Sequence, residues 1–363
     1  MRIPRRRSFP ILAVALAIMA SACSGAGAPK PAVASPKVAF FQDLSLEDPL
    51  DLVSPSFLAL EAGLADGARR GIGNVPVAVQ FDTGGDPLVA LELAQTVAAD
   101  DSYVAIVAAP FWAMSEEVAA VFATAGLPLL SLSDGALPAV PGLVWRRFVA
   151  PAPAQAEELS ARAAGSAIGP VCVVDEGSTR SQALAAAVAK RLAGRAAPRE
   201  AGDTGGCHTV VWTGGPSGAV SIRASLDPAI PLLVSDAAKT AGYLDATSPA
   251  SDGTVAVCPC LDVSTDTSIE ARRFVNAYQA ATGLAPGVYA AEGWEVAILL
   301  ARLAGDAAVA TRGRAGFGSA IGALVATEGI AGDVTFDVHG DPTGELATAH
   351  ATRAAGLRWI VSA

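Results

Sequence analysis

The stretch Tyr103-Val104-Ala105-Ile106-Val107-Ala108, together with the residues that follow it up to Ser131, decides the fold class. The six quoted residues form a continuous apolar run, which is typical of a strand buried on both faces. A helical pattern follows from about Ser115 to Ala125, and a second apolar run spans Leu127 to Ser131. Because both apolar runs are short and a helix separates them, the stretch predicts a parallel sheet covered by helices on both faces.

The same alternation extends in both directions along the chain. Further strands are predicted before and after the segment Ala150-Pro151-Ala152-Pro153: Val38–Phe41, Val75–Phe81, Leu143–Phe148, Val171–Asp175, Thr209–Thr213, Pro231–Ser235 and Thr254–Cys258. Long helical patterns then cover Ser268–Thr282, Val288–Ala304 and Gly313–Thr327, and a pair of short strands ends the chain. Since the order of elements repeats, and roughly 325 residues are many for a single core, we expect two similar α/β lobes.

The amino terminus resembles a bacterial lipoprotein signal. Ala20-Ser21-Ala22-Cys23 follows an apolar run from about Ile11 to Met19, which itself follows four arginines. A basic head, an apolar core and small residues before a cleavage site are the features of an export signal. We therefore expect residues 1–22 to be a signal peptide, Cys23 to be lipidated and residues 23–37 to be a flexible tether. The alternative is cleavage elsewhere, which would leave Cys23 as an ordinary thiol.

The charge of the chain limits its partners. The formal net charge is −10, and loss of the four leader arginines would make it −14. So acidic a body argues against nucleic acid or anionic lipid as the main partner. No later apolar run is long enough to span a membrane, so we expect an extracytoplasmic protein that is tied to the cell membrane only by its lipid anchor.

The four remaining cysteines are Cys172, Cys207, Cys258 and Cys260. An even number in an oxidising compartment favours one or two disulfides, and the sequence leaves the three possible pairings open. A metal site built from Cys258, Cys260 and His208 is disfavoured, because zinc sites usually space their cysteines more widely. We expect neither a metal nor a cofactor.

Three sequence stretches resemble the type I periplasmic solute-binding proteins of the leucine/isoleucine/valine-binding class. The most specific one combines Phe274–Tyr278 with Tyr289–Ala297, which match an F-x-x-x-Y helix and a Y-A-A-x-x-Y/W-D/E-A-V-like helix. Ala125–Ser131 matches an A-G-V-P-x-I-S strand entry, and Gly329–Asp337 with Gly340-Asp341 matches a G-x-x-G-x-x-x-F-D-x-x-G-D hairpin. The three stretches occur in the family's order and behind a lipoprotein signal.

The resemblance implies two Rossmann-like lobes of the periplasmic-binding-protein type I, joined by three hinge crossings. These are expected at Phe148–Pro153, Leu261–Thr265 and Gly332–Asp337, with lobe 1 at 38–148 plus 262–332 and lobe 2 at 149–261 plus 333–363. It also implies a monomer that closes on a small ligand and delivers it to an ABC permease. The physical basis is that strand carboxyl ends and helix amino termini face a crevice in open α/β sheets.

In the first lobe, the resemblance places the ligand site after the third and fourth strands. Trp112 and Ala113 occupy the third-strand loop, where amino-acid binders usually carry a hydroxyl. Ser131 and Ser133 keep hydroxyls after the fourth strand, and Asp134 replaces an apolar residue. Two of these positions have a structural alternative: Trp112 as a packed loop aromatic, and Asp134 as a helix cap.

In the second lobe, three further positions carry the predicted site. Thr179 stands where the family often has Tyr, Pro216 stands where an aromatic is expected, and Asp236 lies one position from the acid that commonly holds the ligand's ammonium group. Asp236 has the same capping alternative as Asp134. Because the framework is kept and the pocket is altered, we expect the ligand to differ from leucine, isoleucine or valine. Glu292 and Glu295 are expected to be solvated or structural residues near the hinge.

An enzyme is disfavoured. Asp82-Thr83-Gly84 and Asp203-Thr204-Gly205 resemble the paired triplets of aspartic proteases, but the surrounding helices argue against that mainly β fold. The chain has no G-x-S-x-G elbow, P-loop lysine or H-E-x-x-H motif. Two other roles remain open: a sensor or receptor module of the same fold without transport, and a degenerate member that has lost ligand binding.

Overall fold

The computed structural model describes residues 35–44, 54–166, 169–199, 203–263, 266–330 and 332–361. The predicted signal peptide, Cys23 and most of the predicted tether lie outside these ranges. Within them, no helix is long and apolar enough to cross a membrane.

The first sheet contains five parallel strands in the order β2-β1-β3-β4-β5. They are β1 Lys37–Gln42, β2 Val77–Asp82, β3 Tyr103–Ala108, β4 Leu129–Ser131 and β5 Trp145–Arg147. Its helices are α1 Pro55–Arg69, α2 Pro87–Ala99 and α3 Glu116–Ala125, joined from later in the chain by α8 Ile269–Thr282, α9 Ala290–Gly305, α10 Ala307–Ala310 and α11 Gly313–Gly322.

The second sheet contains seven strands in the order β15-β14-β10-β9-β8-β6-β7. The five parallel strands are β6 Val171–Val174, β7 Ala196–Arg199, β8 Thr209–Trp212, β9 Leu232–Ser235 and β10 Val255–Cys258, and the antiparallel pair is β14 His350–Ala355 and β15 Arg358–Val361. Its helices are α4 Ala152–Ser166, α5 Thr179–Arg191, α6 Pro216–Ser225 and α7 Ala241–Thr247. Strand β7 was not predicted from the sequence.

Both faces of the second sheet are covered, as the continuous apolar strands predict. Val210 and Trp212 of β8 pack into one apolar cluster, whereas Val211 between them packs into another. Successive side chains of a strand point to opposite faces, so the two clusters are the two covered faces. The first sheet has its own larger cluster, which confirms an α/β architecture with separate cores.

The third crossing differs from its predicted position at Gly332–Asp337. Those residues form β12 Gly332–Phe336, the central strand of a small antiparallel sheet with β11 Ala326–Gly329 and β13 Pro342–Thr343. Val334, Phe336 and Leu346 pack in the core of the first sheet. The chain therefore enters the second sheet only between β13 and β14. The pairing of β11 also explains why α11 ends at Gly322 rather than at the predicted Thr327.

The first two crossings lie where they were expected, between β5 and α4 and between β10 and α8. Residues 264 and 265 of the predicted second crossing are outside the described ranges. The predicted lobe boundary at residue 332 differs from the structure in the same way, because Val334, Phe336 and Leu346 were assigned to lobe 2 and pack with the first sheet. The other lobe boundaries stay a prediction.

Two disulfides select one of the three cysteine pairings. Cys172 in β6 is bonded to Cys207, which precedes β8, and the bond joins residues 35 apart in sequence. Cys258 at the end of β10 is bonded to Cys260, two residues further on. The second bond lies at the start of the second crossing, packed with Val149 and Tyr289.

Candidate functional site

A charged cluster connects the carboxyl ends of the two sheets. Arg180 lies in the first turn of α5, Asp134 follows β4 of the first sheet, and Asp236 follows β9 of the second. The Arg180 Nη2 atom donates to Asp134 Oδ2 at 3.0 Å and to Asp236 Oδ1 and Oδ2 at 2.9 and 3.0 Å. Its Nε atom donates to Asp134 Oδ1 at 3.3 Å. One guanidinium group therefore joins carboxylates from both sheets.

Two aromatic side chains form a wall beside this cluster. The guanidinium carbon of Arg180 lies 4.7 Å from the centroid of the Phe111 ring, within the range of a cation–π contact. The Tyr289 ring meets Phe111 edge-on, with centroids 5.7 Å apart. Both residues have left-handed backbone conformations, at φ 67° for Phe111 and 63° for Tyr289, which are uncommon for bulky side chains and are often found at functional sites.

Asp236 is held by further donors. The Tyr289 hydroxyl donates to Asp236 Oδ2, and Gln155 Nε2 donates to Asp236 Oδ1 at 2.6 Å and to the Val257 carbonyl oxygen at 2.8 Å. Because Tyr289 opens α9 and packs beside the first-sheet loop of Phe111, its hydrogen bond is a second link between the two halves of the cleft.

Burial makes the electrostatics of the cluster strong. Asp134 is 5% exposed and Asp236 is 2% exposed. Burial by itself would lower the pKa of Arg180, but the carboxylates of Asp134 and Asp236 outweigh that effect and raise it well above its usual value. Burial, followed by the same two carboxylates, raises the pKa of Tyr289, so its hydroxyl stays protonated and able to donate. The three charged groups together carry a formal charge of −1.

Two cavities flank Phe111, which lines both of them. One, of 320 Å³, lies between the amino-terminal part of α1, the loop before α9, and Asp236 with its neighbours. Its wall combines apolar side chains such as Leu58 and Val288 with the charged groups of Asp236 and Lys239. The other, of 290 Å³, lies at the carboxyl end of the first sheet and is lined in part by Asp43, Asp86, Trp112, Ala113 and Ser115.

The structure brings Asp134 and Asp236 together but separates other predicted site residues from the cluster. Ser131 and Ser133 are buried next to Asp134 and bond within their own turn, the Ser131 hydroxyl donating to the Ser133 carbonyl oxygen at 3.2 Å. Trp112 is 4% exposed and packs on Phe41 with centroids 5.2 Å apart, while exposed Ala113 lines the 290 Å³ cavity.

In the second half of the cleft, Thr179 is the exposed first residue of α5, and Pro216 is the partly exposed first residue of α6. Neither side chain is hydrogen-bonded to Arg180, Asp134 or Asp236, and their role in binding stays a prediction. Arg180, one residue beyond Thr179, is the side chain of that turn that reaches Asp134 and Asp236.

Sequence reasoning missed Arg180, Phe111, Tyr289 and Gln155. Tyr289 was part of the quoted motif, yet its partner in the other half of the cleft was not evident. Arg180 and Phe111 directly adjoin two predicted positions, Thr179 and Trp112. A search of the immediate neighbours of each expected position for groups that complement Asp134 or Asp236 would have found Arg180.

Glu292 and Glu295 of α9 are buried, so the expectation that they could be solvated was wrong and the structural alternative is the one observed. The Glu292 carboxylate accepts from the Leu261 amide at the second crossing, and Glu295 accepts from the Ile330 amide beside the small sheet. Burial raises the pKa of Glu292 to about 7 and that of Glu295 to about 8. Glu295 also lines a separate 560 Å³ cavity among α1, α8, α9 and the small sheet.

Among the residues with described positions, no group of three or more His, Cys, Asp or Glu side chains could hold a metal ion. The Asp82 triplet lies at the end of β2, and the Asp203 triplet lies in the turn before β8. The Asp203 carboxylate accepts a hydrogen bond from the amide of Gly205 in the same triplet.

Comparison with known proteins shows the fold at low sequence identity. No protein-family model and no curated protein matches the chain. A solved ABC transporter substrate-binding protein from Desulfitobacterium hafniense, in complex with Leu, is 18% identical with a TM-score of 0.68, covering 90% of this chain and 99% of that one. The branched-chain amino acid substrate-binding protein LivJ from Streptococcus pneumoniae, in complex with isoleucine, is 17% identical with a TM-score of 0.73, covering 90% and 99%.

A third similar structure broadens the range of ligands found on this fold. It is an ABC transporter solute-binding protein from R. palustris in complex with benzoate, 17% identical with a TM-score of 0.67, covering 90% of this chain and 95% of that one. The chain thus has the two-lobed α/β fold of type I periplasmic binding proteins, which confirms the predicted fold class.

Proposed function

We propose that this protein is an extracytoplasmic, lipid-anchored substrate-binding protein of an ABC transporter, which closes on a small polar ligand and delivers it to a membrane permease. The observation that carries the proposal is the cluster of Arg180, Asp134 and Asp236, which links the carboxyl ends of two α/β sheets. A cleft between two lobes lets a bound molecule collect contacts from both, and its differential affinity for the closed form drives closure.

The similar structures support the transport role through the ligands they hold, which are leucine, isoleucine and benzoate. The cleft of this chain is not purely apolar, because its lining contains two buried carboxylates, one guanidinium group and the Lys239 ammonium group. A ligand with charged groups, amino-acid-like or related, fits that lining better than an uncharged hydrocarbon.

The test is a thermal-shift and calorimetry screen of the purified protein with aliphatic, aromatic and basic amino acids, their amines, and benzoate. A ligand at about 100 times its Kd stabilises the folded protein by about 2.7 kcal/mol, which raises the melting temperature measurably. Asp236→Asn should weaken binding of the same ligand. Folded protein that binds no member of the panel would contradict the proposal.

A second candidate is a degenerate member of the same fold that has lost ligand binding. The observation in its favour is that the Arg180 side chain already satisfies both carboxylates of the cleft. The same screen distinguishes the two candidate functions. If ligand binding has been lost, no ligand will shift the melting temperature of either the native protein or the Asp236→Asn variant.

The membrane anchor is supported by the sequence around Cys23 and is tested separately. Cys23→Ala should release the protein from the membrane fraction of expressing cells, because removal of the thiol removes the acyl attachment point. Ser21→Ala, which keeps the cysteine and a small residue before it, is the matched control. Equal membrane association of both variants would contradict lipid anchoring.

A further inference from the structure

We infer that Asp134, Asp236 and the Phe111 ring form a binding site for a guanidinium or ammonium group, that Arg180 occupies this site as an internal ligand, and that the substrate is a cation that displaces it. The inference rests on the proposed function and narrows it to cationic ligands. It assigns Arg180 the role of a competing side chain.

The contacts of Arg180 are those of a bound guanidinium ligand. Its donors reach all four carboxylate oxygens of Asp134 and Asp236, at 2.9 to 3.3 Å. Its guanidinium carbon lies over the Phe111 ring, 4.7 Å from the ring centroid. Paired carboxylates with an aromatic face are the surroundings in which proteins bind guanidinium and substituted ammonium groups.

The charge of the site selects the sign of the ligand. With Arg180 in place, the cluster has a formal charge of −1, so an added carboxylate group would be repelled from it. With Arg180 withdrawn, two carboxylates that are 5% and 2% exposed would lose the guanidinium group that donates to all four of their oxygens. Burial of unpaired carboxylates is strongly unfavourable, so the closed cleft requires a cation in that position, from Arg180 or from a ligand.

The site has both an exit for Arg180 and room for a ligand. The Arg180 side chain is 23% exposed, while the Asp236 side chain that it contacts is fully buried. The 320 Å³ cavity begins at Asp236 and continues past the apolar side chains of Leu58, Pro110 and Val288. Lys239 is also in its wall. A ligand with a cationic head, an aliphatic chain and a carboxylate, such as a basic amino acid, would find apolar contacts in this cavity. Its carboxylate would meet the Lys239 ammonium group, which also lies 4.0 Å from the Asp262 carboxylate.

The experiment removes the internal occupant and supplies its functional group from solution. Arg180→Ala and Arg180→Met are compared with the native protein for binding of guanidinium ion, agmatine, L-arginine, L-leucine and benzoate by calorimetry. Arg191→Ala is the matched control, because Arg191 lies in the same helix, is exposed, and bonds the Pro153 carbonyl oxygen outside the cluster.

Loss of the competing side chain should raise the affinity for agmatine and L-arginine at least about tenfold over the native protein, since the site no longer has to be vacated. Guanidinium ion should show a similar gain at weaker absolute affinity, and L-leucine, benzoate and Arg191→Ala should show none. Addition of Asp236→Asn to Arg180→Ala should abolish the gain.

Equal agmatine binding by the native protein and by folded Arg180→Ala and Arg180→Met would overturn the inference. So would tighter binding of benzoate by these variants. Should both variants fail to fold, Arg180→Lys keeps a cation in the site with fewer hydrogen bonds, and it must still bind agmatine more tightly than the native protein. If an uncharged or anionic ligand binds the native protein and Arg180→Ala weakens it, the proposed function stands and the cationic ligand class fails.

Discussion

At the scale of single residues, the buried carboxyl groups of α9 give the protein an unusual response to pH. Glu295 is 2% exposed, accepts from the Ile330 amide, and has a pKa raised by burial from 4.5 to about 8. The folded state therefore holds a proton on Glu295 at pH values where the unfolded chain has lost it. Stability from this group is complete below about pH 4.5 and is lost as the pH rises towards about 8.

Glu295→Gln should remove this dependence, because an amide keeps the acceptor oxygen and carries no titrating proton. Relative to the variant, the native protein should lose up to about 1.4 kcal/mol of unfolding free energy per pH unit between about 4.5 and 8. Denaturant titrations of both proteins at pH 5.5, 6.5, 7.5 and 8.5 measure this loss of unfolding free energy. The control is Glu92→Gln on the exposed face of α2. Parallel pH profiles for the native protein and Glu295→Gln would contradict the assignment.

The residues of the cleft show which part of a site the sequence could predict. Asp134 and Asp236 were selected because each follows a strand end, at or next to a position that the family resemblance marks as part of the site. The structure places both in one cluster. Arg180 was not selected, because an arginine in the first turn of a helix is ordinary in sequence and acquires its partners only when the two sheets face each other. Trp112 was also selected by position; its ring packs on Phe41 and lines the 290 Å³ cavity, and its role in binding stays a prediction.

At the scale of secondary-structure elements, α1 and α9 pack unusually closely through glycines. A Cβ atom on Gly293 would lie 2.2 Å from the Ser56 carbonyl oxygen, and one on Gly63 would lie 2.5 Å from the Ala297 Cβ atom. Because the Gly293 contact is with backbone, the helices themselves would have to move apart to accept a larger residue.

Gly293→Ala should therefore destabilise the protein by about 1 to 3 kcal/mol, although alanine is by itself a better helix former than glycine by up to about 1 kcal/mol. Gly165→Ala in α4 is the matched control, since a Cβ atom there meets nothing within 4 Å. We expect it to be neutral or slightly stabilising. Chemical denaturation measures both variants, and equal effects would show that helix propensity, rather than contact between α1 and α9, decides the result.

The two disulfides should contribute very differently to stability. The Cys172–Cys207 bond joins residues 35 apart, whereas the Cys258–Cys260 bond joins residues 2 apart. The entropy that a cross-link removes from the unfolded chain grows with loop length, so the longer loop is worth about 3 to 4 kcal/mol. Replacing both cysteines of the first pair by alanine should cost about that amount, and the same change in the second pair should cost clearly less. The reverse order in denaturant titrations would contradict this ranking.

Most helices and strands could be predicted from the sequence, and the two failures described below both result from pairing between strands. Parallel strands such as Tyr103–Ala108 were predicted from continuous apolar runs and are present over the same residues. The helix predicted for Gly313–Thr327 ends at Gly322, because Ala326–Gly329 pairs with Gly332–Phe336. Strand β7, Ala196–Arg199, was missed because it contains a proline and an arginine, and is stabilised as an edge strand by pairing with β6.

At the scale of the whole molecule, the two sheets are connected by polar contacts as well as by the chain crossings. Arg180 bridges Asp134 and Asp236, and the Tyr289 hydroxyl donates to Asp236. Around them lie the two cavities that share Phe111. Apolar contacts among Val149, Cys258 and Tyr289 also join the two halves. The Arg180 bridge is the contact that the proposed exchange with a ligand would break.

Removal of that link should shift the protein towards an open form. Arg180→Met keeps the apolar stem of the side chain and removes the guanidinium group, so the two carboxylates lose their bridge and are better hydrated in an open cleft. Spin labels on cysteines introduced as Glu116→Cys in α3 and Ser217→Cys in α6, both exposed positions, report the separation across the cleft. The labelled protein carries Cys23→Ala, so that only these two thiols react.

We expect the inter-label distance to increase by more than about 2 Å in Arg180→Met, and to return to its native value when agmatine is added. Arg191→Ala, which removes a cation from the same helix outside the cluster, should leave the distance unchanged. An unchanged distance in Arg180→Met would show that the crossings and apolar contacts alone hold the halves together. A longer distance that agmatine leaves unaltered would show that Arg180 stabilises the closed form but does not occupy a binding site for a cationic ligand.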